Sequence, residues 1–594
     1  MSPAAAPANL NDVWAHLLVE ELCRQGVTCF VLTPGSRSAL LALAARKLGA
    51  QCLVHWDERA VGFYALGHAR ATGQPAVVIT TSGTAVANLM PAVVEASADS
   101  VPMIVISADR PPELRDTGAN QTIDQTHLFG RYVRWFHELG PADASVPVQA
   151  VLTAADHAVA RALGEPGPVH INMLFREPLT PTVVDAEAPQ AWASLADWLI
   201  RTEPYTRIDG TEYRLAEEAR DRLARLFDPQ RRGVVVIGGG ADPAAAAAAL
   251  EIARACSWPV LADVRSHARF TEHPSVMAYA DQILLSEFWM DHLKADCVFQ
   301  VGPRITSKRM LRYLKRAKPS EWVLVKMTPN RMDEAHRVTW AVQASGKDLQ
   351  AVGATLSPSP KSKWLSTWQD ANHLVGGAID KFLAVLPELN EAVLVRELTR
   401  HIPKDHALFV GNSMPIRDLD MLGVPGWGGR PVANRGASGI DGIIATAVGY
   451  AGGSKAPLTC LLGDTSLLHD LTSLRLAART SRAICINVLN NNGGGIFHFL
   501  PVSETPEHFE EIFGAPHGLN FKSIATWLEI PYAVVETLPD WVRAYKKSLD
   551  RGGPSLIEIV TDRRENLNVH RALEQKIINA LDDMAPYQDT SNIL

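Results

Sequence analysis

Polar side chains follow two strand-like runs in the last third of the chain, and their types suit metal binding. The apolar run "PLTCLLG" is followed by Asp464, and the run "AICINVL" is followed by Asn490 and Asn491. The segment between the two runs is long enough for one crossover helix and the return strand. Because the carboxyl ends of neighbouring parallel strands meet at one edge of a sheet, we expect Asp464 and Asn491 to lie side by side.

The glycines after Asn491 complete a ligand set made only of oxygen atoms. Gly493 has no side chain and can turn its carbonyl oxygen toward the same point as the carboxylate of Asp464 and the amide oxygen of Asn491. Such a set suits Mg²⁺, which completes its coordination with water and phosphate oxygens. The alternative is a helix-capping Asp464 and an ordinary Asn/Gly loop, but the paired placement at two strand ends favours the metal site.

The bulk composition is that of a large globular protein without an obvious macromolecular partner. The chain has 594 residues, of which 47% are hydrophobic and 20% charged, and its formal net charge is −7. This balance gives no indication of nucleic-acid binding, and no apolar stretch is long enough for stable membrane insertion. Seven scattered cysteines without a C-x-x-C pair indicate reduced thiols, and a signal peptide is not evident, so we expect a cytoplasmic protein.

Short apolar runs alternate with helical patterns, which predicts an α/β fold of three doubly wound parallel-sheet domains. In the first block, "VTCFVLTPG", "CLVHW", "PAVVITTSG" and "VPMIVISAD" are separated by amphipathic segments, as in βαβ units. A Pro- and Trp-containing stretch at 178–212 and a Ser-, Pro- and Gly-containing stretch at 342–364 separate the blocks. We therefore predict domains at residues 1–190, 210–360 and 385–594.

The "GD" at 463–464 followed by "NN" at 490–491 resembles the metal–diphosphate signature of thiamine diphosphate (ThDP)-dependent enzymes. The resemblance implies a pyrimidine-binding domain, a middle domain and a diphosphate-binding domain, with ThDP and Mg²⁺ (Mn²⁺ as the alternative ion) as cofactors. It also implies that Glu58, in "HWDERAVGF", hydrogen-bonds the pyrimidine ring and activates the cofactor. Asp57 competes for this role, and a glutamate in the first turn of a helix also compensates the helix dipole.

Several longer motifs resemble one family among these enzymes, the 2-succinyl-5-enolpyruvyl-6-hydroxy-3-cyclohexene-1-carboxylate synthases of menaquinone biosynthesis. They are "TPGSRS", "SADRPPELRDTGANQTIDQ", "GNSMPIRDLD", "NRGASGIDG" and "NNNGGGIF". The resemblance implies a transferase that decarboxylates 2-oxoglutarate and adds the remaining four-carbon unit to isochorismate. Two alternatives stay open, namely another ThDP-dependent decarboxylase or carboligase such as acetohydroxyacid synthase, and a catalytically silent ThDP-fold binding protein.

Both implied substrates are dicarboxylates, so a protein of negative net charge needs cations focused at its site. The cationic residues that match the family's substrate-binding positions are Arg37, Arg110, Lys308, Arg309, Arg417 and Arg435. Arginine suits this role because its planar fork pairs with a carboxylate through two hydrogen bonds. Lys308 and Arg309 stand in a segment that is basic along its length, so a solvent-facing helix is the alternative for that pair.

The remaining site residues follow from the same resemblance. Ser36 and Ser413 are expected to hydrogen-bond a substrate carboxylate, and either could equally cap a helix. Asn120 and Gln121 are expected to face the reacting carbon, where Gln121 orients substrate or water. The apolar wall of the cofactor and substrate cavity is expected to comprise Ile440, Ile496, Phe497 and Leu500. Simple core packing would use the same residue types.

In this family the two domains that bind one cofactor belong to different subunits, which implies a homodimer or a homotetramer. The middle block also contains "VVVIGGGADP", a glycine cluster similar to a dinucleotide fingerprint. Pro243 stands where the third glycine of that fingerprint would be. We therefore expect no nucleotide in the middle domain.

Overall fold

The computed structural model describes residues 7–210, 214–328, 330–386, 388–505 and 507–589, with side chains up to residue 585. Within these residues, helices flank three parallel β-sheets of six, five and six strands, which confirms the predicted α/β class. No described helix combines the length and the apolar character that a membrane crossing requires.

The strands are numbered in chain order, with six in the first sheet, five in the second and six in the third. Strands β1 to β17 are Cys29–Leu32, Gln51–Val54, Ala76–Thr80, Met103–Asp109, Phe136–Leu139, Pro168–Leu174, Gly233–Ile237, Val260–Ala262, Cys297–Val301, Glu321–Lys326, Trp340–Gln343, Ala407–Val410, Pro431–Val432, Leu458–Gly463, Ile484–Asn490, Tyr532–Val535 and Pro554–Val560.

The helices are numbered in the same way. Helices α1 to α23 are Leu10–Arg24, Ala39–Lys47, Glu58–Thr72, Thr84–Ala87, Met90–Ala98, Gln149–Gly164, Ala188–Ala193, Ala196–Leu199, Glu217–Leu226, Pro243–Cys256, Ala280–Ile283, Glu287–His292, Lys308–Ala317, Gly346–Gly353, Lys363–Leu383, Glu391–His401, Met414–Leu422, Ile443–Ser454, Asp464–His469, Leu474–Arg479, Lys522–Trp527, Leu538–Arg551 and Arg563–Asp589.

Contacts within the chain define two compact units. The first comprises the described residues of Met1–Thr211, together with Asn434–Ala456 and Leu467–Arg482. The second comprises those of Glu212–Ala433, Pro457–Ser466 and Ala483–Leu594. The first sheet lies in the first unit, and the other two sheets lie in the second. Helices α18 and α20, which follow strands of the third sheet in the chain, therefore belong to the first unit.

The first sheet has the strand order β2-β1-β3-β4-β6-β5, and all its strand pairs are parallel. Its inner strands β1, β3, β4 and β6 are buried along their whole length, as strands covered by helices on both faces must be. The direction of the strand order changes between β1 and β3, which is where α/β sheets place ligands. The loops after these strands meet closely, because a Cβ at Gly35 would overlap Thr81.

The third sheet has the order β13-β12-β14-β15-β17-β16, and its strand pairs are also parallel. Strands β14 and β15 are direct neighbours, with Gly463 opposite Leu489 at the carboxyl end. The strands that precede Asp464 and Asn491 are therefore adjacent, as the sequence predicted. The direction of this strand order changes between β12 and β14, so the loops after β12 and β14 flank the expected ligand crevice.

In the first unit, helices α3 and α18 cross in close contact because glycines face each other's backbones. A Cβ at Gly67 would overlap the carbonyl oxygen of Thr446, and a Cβ at Gly449 would overlap the carbonyl oxygen of Tyr64. Helix α3 begins at Glu58. The crossing therefore holds the helix that carries the glutamate predicted to activate the cofactor.

Substituting Gly67→Val is expected to lower the apparent melting temperature by about 5–10 °C, because overpacking of this kind costs about 1–3 kcal/mol. Differential scanning fluorimetry would measure the change. The matched control is Gly377→Val on α15, where a new side chain meets open space and the melting temperature should stay within about 2 °C of the wild type. An unchanged melting temperature in Gly67→Val would contradict the close crossing.

Candidate active site

Asp464 follows the last residue of β14 and is the first residue of α19. It is only 1% exposed, and its carboxylate accepts the N–H of Gly493 at 2.9 Å and the N–H of Thr465 at 2.6 Å. The ring Nε2 of His517 lies 3.1 Å from the oxygen that Gly493 contacts. The Asp464 carboxylate therefore ties the loop after β15 to the end of β14.

Two of the three asparagines at the carboxyl end of β15, Asn490 and Asn492, shape the following loop. The side chain of Asn490 donates to the carboxylate of Glu558 at 2.8 Å. The side-chain oxygen of Asn492 accepts the N–H of His517 at 3.0 Å and the N–H of Gly518 at 2.7 Å. These internal bonds leave the middle asparagine of the three for a ligand.

Asn491 carries an unsatisfied buried atom in this loop. Its amide nitrogen donates to Oε1 of Glu391 at 2.7 Å, whereas its amide oxygen is buried and has no hydrogen-bond partner among the described residues. A buried acceptor without a partner is unfavourable. A cation bound by oxygen atoms would satisfy it, so the residues present fit the ion that the sequence predicted.

Gly493 can only be glycine in this conformation. Its φ is +133°, and a Cβ there would overlap the carbonyl oxygen of Gly514. The carbonyl oxygen of Gly493 accepts the N–H of Gly495 at 3.0 Å. A carbonyl oxygen has two lone pairs, so one remains for a metal ion.

Buried ionisable groups lie around the Glu391 side of this loop. Burial raises the pKa of the Glu391 carboxyl to about 7, and the negative charge of Asp418 acts in the same direction. The ring Nε2 of His570 lies 3.2 Å from Asp418. Burial alone would lower the pKa of His570, but the Asp418 carboxylate outweighs it and raises this pKa.

A cavity of about 430 Å³ in the second unit brings five predicted site residues together. They are Lys308, Arg309, Arg417, Ile496 and Leu500. Phe497 does not line this cavity, and its ring packs against Phe513 with 5.5 Å between the ring centroids. Lys308 is an exposed residue at the start of α13, which buries its opposite face through Met310 and Leu314.

The two arginines of this cavity differ in their availability to a substrate. Arg309 pairs with Asp281 at 2.6 Å and also with Glu574, so its charge is already balanced. Arg417 donates to the carbonyl of Ser413, and no carboxylate in the described part of the chain forms an ion pair with it. Burial lowers the pKa of the Arg417 guanidinium, and the negative charge of Asp418 offsets this effect only in part.

Neither predicted serine caps a helix with its hydroxyl. Ser413 precedes α17 with φ of +70°, but its side chain makes no capping hydrogen bond. The N-cap position of α2 is Ser38, so Ser36 lies in the loop before that helix. The capping alternative for these two serines is therefore removed, and both positions remain candidates for substrate contact.

In the first unit, the loops after β3 and β4 bring Arg110 and Gln121 together. Arg110 donates to the hydroxyl of Ser82 and, at 2.9 Å, to the carbonyl of Gln121. The side chain of Gln121 donates to the carbonyl of Ser82 at 3.0 Å, and the neighbouring Asn120 is exposed. Burial lowers the pKa of Arg110, and the positive charge of Arg37 lowers it further. An anion bound beside these two guanidinium groups would relieve their mutual repulsion.

The structure separates the two acidic candidates at the start of α3. Asp57 is the N-cap, because its carboxylate accepts the N–H of Ala60 at 3.3 Å, and it also accepts the hydroxyl of Thr472. Glu58 is the first residue of the helix, and no described residue donates a hydrogen bond to its carboxylate. Asp57 therefore has a structural role, and Glu58 is the one available to a ligand.

The loop that carries Arg435 and Ile440 also belongs to the first unit. The carboxylate of Glu95 accepts the N–H of Gly436 at 2.8 Å and the N–H of Ala437 at 2.6 Å. Glu95 is 2% exposed, so these two hydrogen bonds are buried. They fix the backbone immediately after Arg435.

Sequence reasoning missed three side chains that contact predicted site residues or their loops, namely Glu95, Glu391 and His517. Glu391 follows the N-cap Asn390 and is typical of an ordinary first helical turn. The signal in the sequence is weak, because α16 also carries the charged residues Arg396, Glu397 and Arg400. Nothing in the local pattern distinguishes the buried glutamate or indicates its partner.

Sequence models of three protein families match the chain. They are described as "Thiamine pyrophosphate enzyme, N-terminal TPP binding domain" over residues 13–128, "Middle domain of thiamine pyrophosphate" over 190–410, and "Thiamine pyrophosphate enzyme, C-terminal TPP binding domain" over 432–559. Thiamine pyrophosphate is ThDP. The N-terminal match contains Glu58, and the C-terminal match contains Asp464 and Asn491.

Curated relatives match along nearly the whole chain, and each is named 2-succinyl-5-enolpyruvyl-6-hydroxy-3-cyclohexene-1-carboxylate synthase. The protein of Rubrobacter xylanophilus is 44% identical over 95% of this chain and 98% of its own length. That of Salinibacter ruber is 42% identical over 97% and 98%, and that of Prosthecochloris aestuarii 39% identical over 96% and 98%. The chain belongs to this synthase family of ThDP enzymes.

Membership of the ThDP synthase family confirms the resemblance seen in the sequence motifs and the three-sheet α/β architecture. In this synthase, the first unit holds Glu58 and the Arg110–Gln121 pair, while the second unit holds the Asp464–Asn491 loop and the cavity with Arg417. ThDP-binding domains at both ends of the chain support ThDP as the cofactor.

Proposed function

We propose that this chain decarboxylates 2-oxoglutarate and adds the remaining four-carbon unit to isochorismate in a ThDP-dependent 1,4-addition. The products are 2-succinyl-5-enolpyruvyl-6-hydroxy-3-cyclohexene-1-carboxylate and CO₂, and the reaction belongs to menaquinone or phylloquinone biosynthesis. The observation that carries the proposal is the match to curated synthases of that name, at 38–44% identity over nearly the whole chain.

The metal ion of the proposed reaction is Mg²⁺, with Mn²⁺ as the alternative. Its ligands would be the carboxylate of Asp464, the amide oxygen of Asn491 and the carbonyl oxygen of Gly493. The unpartnered amide oxygen of Asn491 supports this assignment. ThDP, when bound, supplies the carbon nucleophile and takes up the electron pair released as CO₂ leaves.

The chain's own residues would orient the cofactor, exclude water and hold one proton. Glu58 would share a proton with the N1′ atom of the pyrimidine ring. This role is supported by its carboxylate at the start of α3, which accepts no hydrogen bond from the residues that the structure describes. Asn120 and Gln121 would face the reacting carbon. The residues proposed to exclude water from the cofactor are Ile440, Ile496 and Phe497.

The proposed substrates are dicarboxylates, so carboxylate recognition is the main task of the remaining residues. In the first unit this task would fall to Ser36, Arg37, Arg110 and Arg435. In the second unit it would fall to Lys308, Arg309, Ser413 and Arg417, with Leu500 as an apolar contact. The ion pairs of Arg309 with Asp281 and Glu574 make Arg417 the stronger candidate for direct contact in the second unit.

Substituting Arg417→Ala is expected to raise the KM for one of the two dicarboxylates by about 10- to 100-fold, because a hydrogen bond to a charged group contributes about 1.5–3 kcal/mol. The value of kcat at saturation should change far less, since uniform binding is what the variant loses. Steady-state kinetics with each substrate varied in turn would measure this.

Two variants sharpen that experiment. Arg417→Lys keeps the charge but loses the planar fork, so its KM should fall between those of the wild type and Arg417→Ala. Arg312→Ala, on the same unit, removes an exposed arginine that pairs with Glu287 and should leave both KM values unchanged. An unaltered KM in Arg417→Ala would remove Arg417 from the substrate-binding residues.

The decisive test of the proposed function is an assay with ThDP, Mg²⁺, 2-oxoglutarate and isochorismate. We expect CO₂ release from 2-oxoglutarate and formation of the coupled product only when isochorismate is present. Turnover of pyruvate alone, without a response to isochorismate, would instead identify another ThDP carboligase. Binding of ThDP without any turnover would identify a silent member of the fold.

The proposal extends to assembly, location and domain ranges. We propose a homodimer or homotetramer, because the family joins the pyrimidine and diphosphate domains of different subunits around one cofactor. Sedimentation velocity would test this, and a monomer in the ThDP-bound state would contradict it.

A cytoplasmic location is proposed from the small-molecule substrates and the free cysteines. The domain ranges 1–190, 210–360 and 385–594 remain a prediction.

A further inference from the structure

A buried glutamate lies against the amide of Asn491 and has no role in the reaction proposed above. Glu391 is the first residue of α16 and is 1% exposed. Its Oε1 accepts the amide N–H of Asn491 at 2.7 Å and faces the hydroxyl of Thr561 at 3.3 Å. Glu391 therefore contacts a predicted metal ligand from the side opposite to the amide oxygen.

Helix capping does not account for this glutamate. The N-cap of α16 is Asn390, whose side-chain oxygen accepts the N–H of Val393 at 3.0 Å. Glu391 directs its carboxylate to Asn491 and Thr561 instead. The position at the start of an 11-residue helix lowers the cost of burying the negative charge, because the helix dipole is positive there. The fold thus supports a buried acceptor at this point.

The orientation of an asparagine amide decides what it offers a neighbour. One end carries an oxygen that accepts or binds cations, and the other carries an NH₂ group that repels them. The contact with Glu391 engages the NH₂ end of Asn491, so the oxygen faces the other way. That oxygen is buried and has no partner among the described residues.

We propose that Glu391 is a positioning residue, which locks the Asn491 amide with its oxygen toward the cation-binding position. The inference rests on the proposed Mg²⁺-dependent function and deepens it. Glu391 acts through Asn491 and does not touch the ion. Partners that orient a metal ligand in this way typically contribute about 10- to 100-fold to metal affinity.

The test compares two replacements of Glu391 that differ only in whether an acceptor remains. Glu391→Gln keeps an oxygen of the same reach, and Glu391→Leu removes it. Mg²⁺ would be titrated into apoprotein with saturating ThDP, and the Kd read from calorimetry. We expect Glu391→Leu to raise the Kd for Mg²⁺ by about 10- to 100-fold and Glu391→Gln to raise it less than about threefold. Rescue by the conservative variant separates positioning from simple packing.

Glu397→Leu serves as the matched control, because it removes a glutamate from the same helix, one whose side chain pairs with Arg400. Its Kd for Mg²⁺ should equal that of the wild type. Equal Kd values for wild type and Glu391→Leu would overturn the inference while leaving the proposed function intact. A wild-type protein whose ThDP binding ignores Mg²⁺ would overturn the proposed function itself.

A polarity exchange tests the same contact if Glu391→Leu fails to fold. Asn491→Asp alone places two carboxylates against each other and should weaken Mg²⁺ binding. Adding Glu391→Gln restores one amide and one carboxylate with the roles reversed, so the double variant should bind Mg²⁺ at least about tenfold more tightly than Asn491→Asp. A double variant no better than the single one would overturn the inference.

Discussion

Glu58→Gln is expected to lower kcat by about 10²- to 10⁴-fold while ThDP still binds, because the amide cannot exchange the proton that we propose the carboxyl shares with the pyrimidine ring. The substitution preserves shape and the first turn of α3. Glu58 has no hydrogen-bond donor among the described residues, so the loss does not come from a broken structural contact. Steady-state kinetics together with calorimetric ThDP titration would measure both quantities.

The neighbouring carboxylate provides the control for Glu58. Asp57 accepts the N–H of Ala60 and the hydroxyl of Thr472, so Asp57→Asn should affect stability more than turnover. We expect a lower melting temperature with kcat within about tenfold of the wild type. Near-normal turnover in Glu58→Gln, or a larger loss of kcat in Asp57→Asn, would show that Glu58 does not hold the catalytic proton.

Asp464→Ala is expected to weaken Mg²⁺ and ThDP binding together by about 100-fold or more, because it removes the one charged ligand that we propose for the ion. The carboxylate also accepts the N–H groups of Gly493 and Thr465. Its loss therefore frees the loop after β15 as well. Calorimetric titration of ThDP at several Mg²⁺ concentrations would give both affinities.

Asp464→Asn distinguishes the two roles of this side chain. Its amide oxygen can still accept the N–H of Gly493, but it brings no negative charge to the ion, and its NH₂ group replaces the oxygen that accepts the N–H of Thr465. We expect its melting temperature without cofactor to lie between those of Asp464→Ala and the wild type, while its Mg²⁺ affinity falls almost as far as in Asp464→Ala. Wild-type affinity in Asp464→Asn would show that the carboxylate anchors the loop and does not bind the metal.

The fold class and the adjacency of the two strands that precede the proposed metal ligands could be predicted from the sequence, because both depend on local patterns. Apolar runs separated by helical segments predict a parallel sheet, and polar residues at strand ends then share one edge. Asp464 and Asn491 stand directly after such runs, and β14 and β15 are indeed neighbours. Gly493 was predicted because a residue without a side chain can turn its carbonyl oxygen inward, and its φ of +133° in the structure is one that favours glycine.

Two pairs of candidate residues, Asp57 with Glu58 and Arg309 with Arg417, are distinguished by tertiary contacts that cannot be read from the sequence. Asp57 and Glu58 are adjacent and chemically alike, yet one caps α3 and the other does not. Arg309 and Arg417 both line one cavity, yet only Arg309 is neutralised by Asp281 and Glu574. The residue type defines which interactions a side chain can form, whereas its neighbours in the fold determine which of these remain available to a ligand.

The sequence by itself determined the three parallel sheets, the ThDP synthase family and the two polar strand ends at which we propose the metal ion, because strand periodicity and strand-end residues are local features of short segments. Only the tertiary structure decided which distant side chains contact the candidate residues. Glu391 lies 100 positions before Asn491, and Glu574 lies 265 positions after Arg309. Contacts between residues so far apart in the chain depend on how the helices pack against the sheets. The periodicity of a short segment does not predict them.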